Sequence, residues 1–120
     1  MTGAERLRVV VAGPDGPGGH RAVALARALR DAGAEVVLTG AAAAAGRLAA
    51  TAVQEDADAV VVTDPPPGLP AGLLAGLAAA GAGDVTVAVL GDPGDAPAGV
   101  LALPDGTPPD DVVAALLRTP

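Results

Sequence analysis

The residues that could do chemistry are few, and nearly all of them stand beside glycine or proline. His20 is the only imidazole in the chain, and it follows the run Gly13-Pro14-Asp15-Gly16-Pro17-Gly18-Gly19. Four glycines in that run permit positive φ or a close backbone approach to a ligand, so it reads either as a flexible connection or as a ligand-binding loop. His20 lies where a helix is expected to begin. The positive end of a helix disfavours imidazolium, and a neutral imidazole suits metal ligation or hydrogen bonding. Asp15, Asp64, Asp92 and Asp105 are the acids that strand ends could bring together for acid-base work. Each sits in a polar turn with no sign of the burial that would retune its pKa, and the plain reading is a solvated loop acid. Thr63 and Thr107 read as neutral hydrogen-bond donors, because no base stands near them in the sequence.

Composition removes several chemistries. The chain has no Cys, so thiolate nucleophiles, thiolate metal sites and disulfides are absent. It has no Lys, which excludes a GK[ST] phosphate loop and leaves no ammonium to neutralise a phosphoryl group on Asp64. A net charge of −7 and the absence of Phe, Tyr and Trp both oppose nucleic-acid binding. Gly13, Gly16 and Gly18 do not have the spacing of a dinucleotide fingerprint, and Glu35 comes too early to serve as its ribose acid. No apolar run is long enough for a signal core or a membrane span, and the expected location is cytoplasmic.

The elements that must position these residues follow from the apolar pattern. Short β-branched runs at 7–12, 35–38, 59–63, 85–90 and 99–103 predict five strands. Most are apolar on both faces, which calls for a parallel sheet covered on each side. Helices are predicted from Arg21 to a cap at Gly33, across 42–55, from Leu69-Pro70 to about Gly81, and after Thr107. The second has the weakest apolar stripe, carried by Leu48, Ala52 and Glu55. Residues 91–98 are too rich in Gly and Pro for a full helix and predict a loop or single turn. At 120 residues this is one α/β domain with a core over about 7–117 and the flavodoxin-like strand order 2-1-3-4-5. The functional edge is then the one formed by the carboxyl ends of the strands.

Several stretches together resemble the cobalamin-binding domain, or small subunit, of adenosylcobalamin-dependent acyl-CoA mutases of the methylmalonyl-CoA mutase type. They are Arg8-Val9-Val10-Val11-Ala12, Ala26 to Gly33, Glu35-Val36 with Thr39-Gly40, Gln54 to Asp58, and Gly106-Thr107-Pro108. The resemblance runs from about Arg8 to Leu117. It implies a Rossmann-like fold that binds cobalamin through Asp15, Gly16, His20, Thr63, Gly91, Gly106 and Thr107. His20 is the one candidate ligand for the metal.

The motifs depart from that family at defined places. In the family's Asp-x-His-x-x-Gly motif the aspartate falls on Asp15, the histidine on Pro17 and the last glycine on His20, with a one-residue difference in length. The Ser-x-Leu motif falls on Thr63-Asp64-Pro65, and the paired glycines on Leu90-Gly91. Loss of the histidine removes a coordinate bond, and Leu90 threatens the cavity for the nucleotide tail. Three readings follow: an atypical corrinoid-binding module assisting a mutase, a non-catalytic interaction or scaffold domain, and a different small-molecule enzyme. The implied partners are a large acyl-CoA mutase subunit or a second copy. No complete catalytic set stands in the chain, so it is not expected to isomerise an acyl-CoA by itself.

Overall fold

A computed structural model describes residues 7–13, 20–39, 44–91 and 97–118. Five strands form one parallel sheet, β1 (Arg8–Ala12), β2 (Glu35–Leu38), β3 (Ala59–Thr63), β4 (Thr86–Leu90) and β5 (Val100–Leu103), in the order β2-β1-β3-β4-β5. The helices among the described residues are α1 (His20–Asp31), α2 (Ala45–Gln54), α3 (Leu69–Ala79) and α4 (Pro109–Arg118). This is the α/β architecture that the apolar runs predict.

Alternate strand residues feed two separate apolar layers. Val9, Val11, Val61, Ala88, Leu90 and Leu103 pack with Leu25 and Leu29 of α1 and Val112 and Leu116 of α4. Val10, Ala12, Val60, Val62 and Val87 pack with Leu48 and Ala52 of α2 and Leu69, Leu73 and Leu77 of α3. β3 is buried at all five positions because it has strands on both sides and helices on both faces.

Three helices end in one geometry, with a C′ residue at positive φ and two carbonyls satisfied by the following amides. After α1 the C′ residue is Gly33 (φ 102), with Ala34 N–H donating to the Leu29 carbonyl at 3.0 Å. After α3 it is Gly81 (φ 75), with Ala82 N–H donating to the Leu77 carbonyl at 2.8 Å. After α2 it is Asp56 (φ 54), with Ala57 N–H donating to the Ala52 carbonyl at 2.9 Å. Only this last stop lacks the glycine that signals it, which is why the sequence pattern carries α2 one residue too far. Glu55 is its C-cap, and the buried stripe is Leu48, Ala49 and Ala52.

α2 makes up for its small side chains by approaching α3 closely. A Cβ on Gly72 would stand 3.0 Å from the Ala45 Cβ, and one on Gly76 would stand 3.0 Å from the Ala49 Cβ. Alanine and glycine thus supply through proximity the dispersion contacts that larger residues supply through volume. Between β4 and β5, Ala98 and Gly99 form a turn, and 92–96 lie outside the described residues. No helix among the described residues is long and apolar enough to cross a membrane.

Candidate functional site

At the carboxyl edge, the first turn of α1 rests directly on the ends of β1 and β3. Gly13 leaves β1 where a Cβ would fall 2.3 Å from Thr63 Oγ1 and 2.8 Å from the Ala22 Cβ, so no larger residue fits. Thr63 ends β3 fully buried, and its hydroxyl donates to the Ala12 carbonyl over a long 3.5 Å. Asp64 then turns the chain in the left-handed region (φ 49), its N–H donating to the Leu90 carbonyl at 3.3 Å. Gly91 turns the chain after β4 (φ 115), and its N–H donates to the Leu103 carbonyl at 3.0 Å. A Cβ on Gly91 would lie 2.9 Å from Asp64 Oδ1 and 3.7 Å from Arg21 Nη1. Glycine is therefore needed there on two counts: its backbone conformation, and the room it leaves for the Asp64 carboxylate and the Arg21 guanidinium.

Arg21 joins three elements at this edge. Its Nη1 lies 3.2 Å from Asp64 Oδ1 and 2.9 Å from Asp105 Oδ1. The cation comes from the first turn of α1, one carboxylate from the turn after β3, and the other from the turn after β5. Side-chain exposures of 37% for Arg21, 43% for Asp64 and 67% for Asp105 make this a surface cluster, open to screening by salt.

The predicted site residues fall as follows. Thr63 pairs with Leu90 in the β3–β4 register, and Gly91, the residue after Leu90, lies beside Arg21. Gly106 (φ 85) and Thr107 belong to the turn that carries Asp105, and a Cβ on Gly106 would meet only open space. The Thr107 hydroxyl and N–H both donate to the Pro104 carbonyl, so its polar groups close their own turn. His20 is exposed as the first residue of α1, and no group of three His, Asp or Glu side chains able to hold a metal occurs among the described residues. Asp15 and Gly16 lie outside the described residues.

Two connections go beyond the sequence reading. Asp64 is ion-paired rather than simply solvated, and the cation that the missing lysine leaves wanting is supplied by Arg21. At the opposite, amino edge, Arg8 gathers β1, β2 and the end of α2. Its Nε donates to Glu35 Oε2 at 2.9 Å, its Nη1 to the Glu55 carbonyl at 2.9 Å, and its backbone N–H to Asp58 Oδ2 at 2.9 Å. The hydrogen bond and charge of Glu35 raise the Arg8 pKa further. Glu35, too early in the chain for a ribose contact, thus has its partner at the other end of the sheet. An open groove of about 400 Å³ also lies at the amino edge, between Asp84–Thr86 and Gly99–Leu101.

No protein-family model matches the chain, and no curated protein matches it. Among solved structures, the chain is similar to a putative pilus assembly-related protein from Burkholderia pseudomallei. The two share 20% identity with a TM-score of 0.69, over 99% of this chain and 92% of that one. That likeness establishes the fold.

The residues present at the carboxyl edge do not fit a buried nucleotide tail of cobalamin. Leu90 is 5% exposed and packed in the layer with Leu103, Val112 and Val113, and Thr63 is fully buried beside it in the parallel register. A tail lodged between β1, β3 and β4 would have to displace both. Gly13 leaves no slack on the β1 side.

Proposed function

We propose that this chain is a non-catalytic interaction module of a larger protein assembly, offering the carboxyl edge of its sheet to a protein partner. The observation that carries the reading is Arg21 held between Asp64 and Asp105. In an open α/β sheet this crevice is where ligands bind. Here its guanidinium is neutralised by the chain's own carboxylates, and the floor beneath is filled by Thr63 and Leu90. What remains available is the rim: Gly106, Asp110 and Asp111 are exposed, and Asp105 stays 67% exposed beside its pair with Arg21. Net acidity suits a partner that presents basic side chains. The fold shared with a putative pilus assembly-related protein agrees with a role in building a complex.

A photo-crosslinking side chain in place of Asp110 tests this reading in the native host. One discrete adduct, lost when Asp105 and Asp111 are both changed to Lys, is expected. No adduct, or one indifferent to those charges, would overturn it.

The corrinoid reading has one observation in its favour. Thr63, Gly91, Gly106 and Thr107 share one edge of a sheet with the order 2-1-3-4-5. When bound, a corrinoid would supply the radical chemistry, and a large acyl-CoA mutase subunit would hold the substrate. Leu90 and Thr63 weigh against it. Hydroxocobalamin and adenosylcobalamin, titrated by absorbance and calorimetry, are expected to show no saturable binding. Saturable binding by either would restore this reading, and its loss in His20→Ala would assign the metal ligand.

A further inference from the structure

We infer that Arg21 is an ion-sensitive latch that holds the carboxyl edge closed, and that its release loosens the ends of β3 and β4 without unfolding the sheet. The inference concerns the chain alone and stands whether or not the partner proposed above exists.

The geometry supports a latch more than a staple. One nitrogen, Nη1, serves both carboxylates, and all three side chains are more than a third exposed. Such pairs are weak and are screened when the Debye length falls to about 3 Å in 1 M salt. At this edge the turns after β3 and β4 each donate one amide to the end of the neighbouring strand, Asp64 N–H to the Leu90 carbonyl at 3.3 Å and Gly91 N–H to the Leu103 carbonyl at 3.0 Å. The Asp64 turn is held at φ 49, a conformation that aspartate adopts at some cost. Arg21 also passes close over Gly91, which is buried although it follows the last residue of β4. Taking away the guanidinium therefore uncovers Gly91 and frees a strained turn at once. The core layers on both faces of the sheet remain intact beneath it.

Native-state hydrogen exchange reads this directly. In Arg21→Gln, the Asp64 and Gly91 amides are expected to exchange about two- to tenfold faster. The amino-edge amides of Asp58 and Thr86, which donate to the Arg8 and Asp58 carbonyls, should not change. Raising NaCl to 1 M should produce the same local change in the unmodified chain and no further change in Arg21→Gln. Asp64→Asn combined with Asp105→Asn, which keeps the turn tolerable but removes both charges, should match Arg21→Gln. Equal acceleration at both edges, unchanged exchange at Asp64 and Gly91, or a salt response that survives in Arg21→Gln would each overturn the latch.

Discussion

The two edges of the sheet each carry one arginine at their centre, and the arginines are used differently. At the amino edge, Arg8 spreads its donors over the Glu35 carboxylate and the Glu55 carbonyl, while its own backbone N–H engages Asp58. A carbonyl does not titrate and is poorly screened, so part of this staple survives salt. At the carboxyl edge, Arg21 shares one nitrogen between two exposed carboxylates, donating to Asp64 Oδ1 and pairing with Asp105 Oδ1, so every contact it makes there is to a charged group. One edge is built to stay fixed. The other is fastened by interactions that a change of ionic surroundings can undo, and it is the edge where α/β sheets meet their ligands.

The largest effect expected on this comparison comes from the floor of the carboxyl edge. Gly13→Ala drives a methyl into Thr63 and Ala22, and should destabilise the chain by about 3 kcal/mol in urea denaturation. A loss below about 1 kcal/mol would mean that α1 is free to lift, and that the edge is loose even with Arg21 in place. Leu90→Ala should cost about 2–4 kcal/mol by leaving a cavity under α4, and should still confer no corrinoid binding. Binding gained in that variant would show that Leu90 alone blocks the tail. Arg8→Gln should lower the thermal midpoint more than Arg21→Gln does, and the Arg8→Gln deficit should persist in 1 M NaCl. A deficit abolished by salt would make the two edges equivalent. The smallest effects are expected at the exposed ion pair and at the C′ position of α2. Arg21→Gln should change global stability by no more than about 1 kcal/mol, whereas Asp56→Gly should stabilise by about 0.5–1 kcal/mol by relieving the one non-glycine C′ stop.

Most of the scaffold was legible because each element announces itself locally. The run Ala59-Val60-Val61-Val62-Thr63 cannot be amphipathic and must be central. Pro70 fits the first turn of a helix, Leu69, Leu73 and Leu77 set its inward face, and Gly33 sits where α1 stops. α2 is the least legible helix because its burial depends on Gly72 and Gly76 in another helix, a fact that no window around Leu48 contains. The same holds for the site. Thr63, Gly91, Gly106 and Thr107 could be assigned to one edge from topology alone. That Arg21 would bind Asp64 and Asp105 was not visible, since the partners lie 43 and 84 residues away and helical periodicity places Arg21 merely off the apolar face. A cation in the first turn of the helix after β1, combined with acids after β3 and β5, is the signal that could have found it.

The contact between α2 and α3 has a consequence for how this chain can vary. Where backbone approaches backbone across Gly72 with Ala45 and Gly76 with Ala49, there is no side chain whose rotamer could yield. A lineage that enlarges one member of either pair must shrink the other or move a whole helix. The four positions are therefore expected to drift as two coupled pairs, and homologues should keep the summed volume of each pair nearly constant even where the individual letters differ.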